Sequence, residues 1–290
     1  MTAPAPLVRR LAVLGAGLIG GSLCLAVRAR GLAERVVAID RDATTLSDAA
    51  RLGLADEIAA DPAAARGADL VVLAVPVGSM GEAAAAVAPH LTERTVVTDV
   101  GSVKSAALAA VAPALPHPGR FVPGHPIAGR ERSGPGAADH DLFEGALIIL
   151  TPEPRTDPAC VTLVRALWAG AGGRVMTMDP AEHDRIFAAV SHLPHVVAYA
   201  LIGAVLDLEA EQGPLVGYSA GGLRDFTRIA QSDPIMWRDI CLANREALLK
   251  SLARFRHVLG VLEARIAAGD GPGLWQAFVR AREARRGMPS

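Results

Sequence analysis

Cysteine is nearly absent. Cys24, Cys160 and Cys241 are the only three among 290 residues, far apart and never in a CxxC pair, which excludes a zinc ribbon or dithiol redox couple and leaves reduced, buried thiols. A surplus of charge is missing too. Lys and Arg number 29 against 30 Asp and Glu, so no net field gathers nucleic acid or an anionic membrane, and the expected partner is a small molecule. Long uninterrupted apolar runs are also lacking. The run after Arg9 and Arg10 is broken by Gly15, Gly17, Gly20 and Gly21, as a first strand and turn would be and a signal peptide would not. No stretch of about 18 apolar residues free of charges and breakers stands out as a spanning helix, which points to a cytoplasmic chain with no membrane partner. A solenoid-length repeat is absent, and the only biased tract is the short basic tail at 280–286.

Hydrophobic residues make up 51% of the chain and charged ones 20%, a globular balance in which abundant Ala favours helices. The length suits two domains. Short β-branched runs at 11–14, 36–39, 70–75, 95–99, 121–124 and 146–151 read as strands, with a further edge strand at 174–178. Between them, 18–30, 43–52 and 81–88 read as helices. This alternation predicts an α/β, Rossmann-type, mostly parallel sheet domain over residues 1–179. From Pro180 the strands stop. Ile186, Val190, Leu193, Val197, Leu201 and Val205 recur at helical spacing, and a second such run covers 234–268. An all-helical domain over 180–290 follows. Its apolar surface exceeds what one thin layer of helices covers, which points to a homodimer.

Gly15-Ala16-Gly17-Leu18-Ile19-Gly20 follows the first strand and opens a helix. This is the context of a dinucleotide fingerprint, in which the glycines allow a tight turn and the pyrophosphate rests on the helix N-terminus. Asp40 ends the second strand, where a carboxylate can accept from the adenosine ribose hydroxyls and repel a 2′-phosphate. NAD is therefore expected over NADP, although the neighbouring Arg41 offers a guanidinium that a 2′-phosphate could use. Val75 and Pro76 leave another strand as loops bordering a cofactor do, and as ordinary strand exits do.

Three segments carry polar residues that core packing would not select: residues 99–104 (DVGSVK), 124–129 (GHPIAG) and 222–228 (GLRDFTR). In a parallel sheet the C-terminal strand ends share one edge, so Ser102 and His125 should face the cofactor crevice. A hydroxyl and an imidazole there are the parts needed to take a proton from an alcohol as its carbon loses hydride. His192 and His195 stand three apart, without a third ligand at metal spacing, so no metal is expected. Pro194 between them should kink the helix. The other histidines, His183 among them, read as surface or capping residues.

With the glycine fingerprint, DVGSVK, HPIAG, SHLPH at 191–195 and DFTR at 225–228 in this order, the chain resembles the prephenate and arogenate dehydrogenases from about residue 10 to about residue 260. The resemblance implies that His125 is the catalytic base for the ring hydroxyl, assisted by Ser102. It implies that Arg228 binds the ring carboxylate, that His195 and His192 shape the pocket, and that Glu131 gates it. Arg130 stands where some members carry a small hydroxyl residue, so prephenate, arogenate and an amino-substituted prephenate stay open as substrates. A β-hydroxyacid dehydrogenase would need a lysine in the helical part, where Lys250 is the only one, and HPIAG argues against it. A non-catalytic, cofactor-sensing binding protein is the reading from a different class. The helical run reaches almost to Ser290, so no C-terminal regulatory domain is expected.

Overall fold

The computed structural model describes residues 5–129 and 132–288. Six parallel strands, β1 (Val8–Leu14), β2 (Ala33–Ile39), β3 (Glu57–Ala59), β4 (Leu70–Leu73), β5 (Val96–Asp99) and β6 (Phe121–Val122), lie in the order β3-β2-β1-β4-β5-β6. The order reverses direction at β1 and β4, the switch point where doubly wound sheets bind ligands. Both faces of this sheet are covered, which is why its central strands read as continuous apolar runs rather than alternating ones. Leu11 and Val13 face one core with Leu23, Val27 and Trp168. Ala12 and Leu14 face the other, with Met80, Ala84 and Val111.

The covering helices are α1 (Leu18–Ala29), α2 (Ala43–Arg51), α3 (Met80–Val87), α4 (Lys104–Val111) and α5 (Pro158–Gly170). The sequence reading anticipates the first three and misses α4, α5 and the three-residue β3. It also takes residues 121–124 as one strand. The chain instead breaks at Pro123, which has no N–H to offer a ladder. After the break, β7 (Gly124–Ile127), β8 (Leu147–Leu150) and β9 (Arg174–Thr177) form a second sheet, with β7 antiparallel and β9 parallel to β8. As an edge strand β7 tolerates Pro126.

Helices follow: α6 (Pro180–Phe187), a π-helical turn at Ala188–His192, α7 (Leu193–Gln212), α8 (Gly221–Thr227), α9 (Pro234–Ala243), α10 (Arg245–Ala267) and α11 (Gly271–Arg286). Asp179 and Asp233 cap α6 and α9 through side-chain bonds to backbone N–H groups, each just ahead of a proline that needs no partner. The chain divides into two compact units between Asn244 and Arg245. The change of texture at residue 180 falls inside the first of these, because Asp184 of α6 accepts from the backbone N–H groups of Lys104 (2.7 Å) and Ser105 (2.9 Å) at the start of α4.

Pro180–Gln212 forms a 33-residue helical stretch whose most apolar 18-residue window has mean hydropathy 1.6 and is 11% buried, long and apolar enough to cross a membrane by length and composition. Pro194 does not end it. The proline sits in the first turn of α7, where the preceding π turn already alters the bonding pattern.

Candidate active site

Gly15 has φ +101°, and a Cβ there would lie 2.3 Å from the Ala74 carbonyl oxygen. At Gly20 a Cβ would lie 1.9 Å from the Gly15 carbonyl oxygen. Both positions are therefore closed to side chains by the protein itself. Gly17 differs, since a Cβ there meets nothing within 4 Å. The space in front of it is open, at the start of a helix with no side-chain cap and no acidic residue in its first turn. That cradle suits a pyrophosphate.

Gly15, Gly17, Asp40, Arg41, Val75 and Pro76 all line one cleft of about 410 Å³. Leu18, Ile19 and Gly20 lie behind it in the first turn of α1. One oxygen of Asp40 accepts from the Ala16 N–H (2.8 Å), and the other accepts from the Asp42 N–H (3.0 Å). These bonds fix the carboxylate at the cleft wall and leave lone pairs on both oxygens. Arg41 faces Glu82 at 3.5 Å, and both residues line the same cleft.

The second part of the site is built around a buried ion pair. Lys104 and Asp99 are both inaccessible to solvent and bonded to each other. Asp99 also accepts from Gly101 N–H (2.8 Å) and Gly124 N–H (3.0 Å), while Lys104 Nζ donates to the Gly124 carbonyl. Burial lowers the Lys104 pKa and the Asp99 carboxylate opposes this. The knot joins the end of β5, the turn carrying the half-buried Ser102, and the start of β7 beside His125. His125 thus lies inside a strand of the second sheet rather than beyond the end of a parallel strand.

His125 is buried, with Nδ1 2.8 Å from Nε2 of His183, whose own Nδ1 is 2.9 Å from Asp184. Phe187 packs on both rings at centroid distances of 5.0 and 4.5 Å. Burial, then the charges of His183, Lys104 and His192, push the His125 imidazole well below its ordinary range. Burial likewise lowers His183, against the pull of Asp184. Burial alone would raise Asp184. The bonds from His183, Ser105 and Lys104 outweigh it and hold the carboxyl below its usual range. His183 is the clearest correction to the sequence reading: it is fully buried, not a surface or capping residue.

His192 ends the π turn, buried, with its pKa pushed by burial down to about 4. Its Nδ1 lies 3.1 Å from Nδ2 of Asn244, which also donates to the Asp184 carbonyl at 2.8 Å. His192 Nε2 and Trp237 Nε1 are buried with no protein partner. His195 stacks on Trp237 with ring centroids 3.5 Å apart, and its Nδ1 bonds the Ser191 carbonyl, one turn earlier, at 2.9 Å. Arg228 closes α8 and is exposed on the chain. Glu131 lies outside the described residues. Among the described residues, the one group of three potential metal donors is Asp139, His140 and Asp141, remote in sequence from these segments and already engaged by Arg30 through Asp141 (3.2 Å).

Residues 23–177 match the family model described as prephenate dehydrogenase, nucleotide-binding domain, and residues 179–280 the one described as prephenate dehydrogenase, dimerization domain. The chain is 40% identical over 279 residues to a cyclohexadienyl dehydrogenase of Zymomonas mobilis, across 96% of this chain and 95% of that protein. A prephenate dehydrogenase of Aquifex aeolicus, solved with hydroxyphenyl propionate and NAD+, superposes with TM-score 0.91 at 37% identity over 96% of this chain and 97% of that one. An arogenate dehydrogenase of Synechocystis gives TM-score 0.78 at 30% identity, over 96% and 99% of the two chains.

Proposed function

The chain belongs to the prephenate dehydrogenase family, and from that premise we propose that it oxidises the ring alcohol of prephenate with NAD and releases the ring carboxylate as carbon dioxide. NAD, when bound, supplies the hydride acceptor. His125 takes the hydroxyl proton, and Ser102, in the turn pinned by Lys104, steadies that hydroxyl. Arg228 anchors the ring carboxylate, His195 and His192 line the substrate pocket, and Glu131 gates it. Aromatisation makes the step irreversible, so orientation, a neutral base and an anchor are the main requirements. The observation that carries this reading is the buried His125, kept neutral beside the Ser102 turn.

Asp40 and Glu82 both line the cofactor cleft. A 2′-phosphate would meet two carboxylates there, which supports NAD over NADP. Residues 1–179 then act as the dinucleotide domain, and residues 180–290 as the helical domain that completes the substrate pocket and joins two copies. Two buried thiols and no disulfide fit a reducing cytoplasm. Arogenate is the second reading, supported by the relatives named for arogenate and for cyclohexadienyl substrates in general. It would keep every residue above and alter only side-chain recognition. The test is NADH formation with prephenate and, separately, with arogenate. Turnover of prephenate at the higher kcat/KM is expected. Cofactor binding without turnover of either would make the chain a cofactor sensor instead.

A further inference from the structure

His125, His183 and Asp184 form a chain of three side chains in which only one arrangement of protons fits. Asp184 is ionised. Its two oxygens cap the start of α4, accepting from Lys104 N–H at 2.7 Å and Ser105 N–H at 2.9 Å, where the helix favours a negative charge. A carboxylate only accepts, so His183 Nδ1, at 2.9 Å, carries a proton. A neutral His183 then has a bare Nε2. His125 Nδ1, 2.8 Å from that nitrogen, must be the donor. His125 is left with its lone pair on Nε2. The opposite polarity would set a bare His183 nitrogen against the carboxylate, and a doubly protonated His183 would move the His125 proton to Nε2 and abolish the base.

We propose that His183 and Asp184 are positioning residues that hold His125 with its proton on Nδ1 and its lone pair on Nε2, and that take up part of the positive charge formed when Nε2 receives the substrate's proton. This rests on the reading of His125 as the base. In the step itself the substrate's O–H bond breaks and an Nε2–H bond forms. The Nδ1 proton stays on His125 or slides along the 2.8 Å bond to His183, which then pairs as a cation with Asp184. No other proton donor or acceptor is consumed. The titratable groups facing the pair are Lys104, Asp99 and the neutral His192, besides Asp184. Because Asp184 also caps α4, the same carboxylate that orients the base fixes the helix following the Ser102 turn.

The test uses the full-length enzyme and three measurements. Nitrogen-15 NMR of the resting protein should show His125 protonated on Nδ1 and bare on Nε2. The reverse tautomer overturns the proposal, whether or not any variant folds. His183→Phe keeps a ring of similar size but removes the acceptor, and should lower kcat by on the order of a hundredfold or more with KM for NAD within about twofold of wild type. His183→Gln offers an amide N–H to Asp184 and an amide oxygen to His125, the same polarity, and should recover kcat to within about tenfold of wild type. A His183→Phe enzyme within about twofold of wild-type kcat, or a Gln variant no better than the Phe one, overturns the proposal. Failure of the underlying reading looks different: His125→Asn would then stay active whatever tautomer the spectrum shows.

Discussion

At the scale of single residues, the depressed pKa of His125 carries consequences for both rate and stability. As the base it must be neutral, and burial with His183 and Lys104 keeps it so well below its ordinary range. The acid limb of kcat/KM should therefore fall below about pH 6.5, and His125→Asn should lower kcat by about a hundredfold or more while NAD still binds. An unchanged pH profile in an active variant would exclude His125. For stability the sign follows from proton counting. His125, His183, His192 and His195 all have lowered values in the fold, His192 to about 4. Above its folded value and below about 6.5, each binds a proton in the unfolded chain that it does not bind in the native one, a window that for His192 runs from about 4 to about 6.5, so their contribution is complete above pH 6.5 and is lost as pH falls. For His192 the loss approaches about 1.4 kcal/mol per pH unit inside its window, which denaturant midpoints at about pH 7.5 and about pH 5 would reveal. Arg228→Ala should act on substrate affinity, raising KM about thirtyfold or more through loss of roughly 2–5 kcal/mol, with Lys rescuing only part because it lacks the planar fork. A KM within about twofold of wild type would move the anchor elsewhere. His125 could be singled out from HPIAG in the sequence. His183 could not, because its partner stands 58 positions away and only the fold reveals the bond. Lys104 was visible as one polar residue after a strand, and its burial against Asp99 was not.

At the scale of elements, the β1-turn-α1 unit separates two uses of glycine that look identical in sequence. Gly20→Ala drives a methyl into the Gly15 carbonyl at 1.9 Å and should lower Tm, because backbone cannot step aside as a side chain could. Gly17→Ala meets nothing within 4 Å and has an ordinary negative φ, so Tm should hold. NAD affinity should fall instead, since the methyl occupies the open cradle. Thermal melts with cofactor titrations separate the two, and a Gly17 variant with unchanged Kd would show that the pyrophosphate does not lie there. The fingerprint was legible because strand, turn and acid are contiguous and each has a local signature. The break at Pro123 was not. Residues 121–124 satisfy strand propensity on either side of the proline, and only long-range pairing with Leu150 assigns the second half to another sheet. The π turn at Ala188–His192 was likewise hidden, because Pro194 marks a disturbance of the helix without saying which form it takes.

At the scale of the whole molecule, the two long apolar periodicities were plain in the sequence, whereas the separation after Asn244 was not, since no linker composition marks it. The unit that begins there is the more informative. It holds two helices, yet Leu248 is the only buried residue of α10 and α11 has none among the described residues. Ile266, Trp275 and Phe278 are exposed by 66%, 67% and 58%. A two-helix segment of this length that buries almost nothing has too little core to hold its form in water. The same holds for the apolar window of Pro180–Gln212, only 11% buried. A second copy of the chain would remove such surface from water at roughly 25 cal/mol per Å². The expected species at micromolar concentration is therefore a homodimer, with light scattering giving twice the chain mass. Its Tm should rise with protein concentration, because association stabilises by mass action. Trp275 and Phe278 lie three apart on one face of α11, so Trp275→Glu combined with Phe278→Glu places two charges on that face. If the face is an interface, the variant should dissociate and melt earlier; if it is ordinary surface, mass and Tm should stay as in the wild type, since exposed substitutions usually act within about 0.5 kcal/mol. A wild-type monomer across the micromolar range would remove the dimer and leave this apolar surface for another partner.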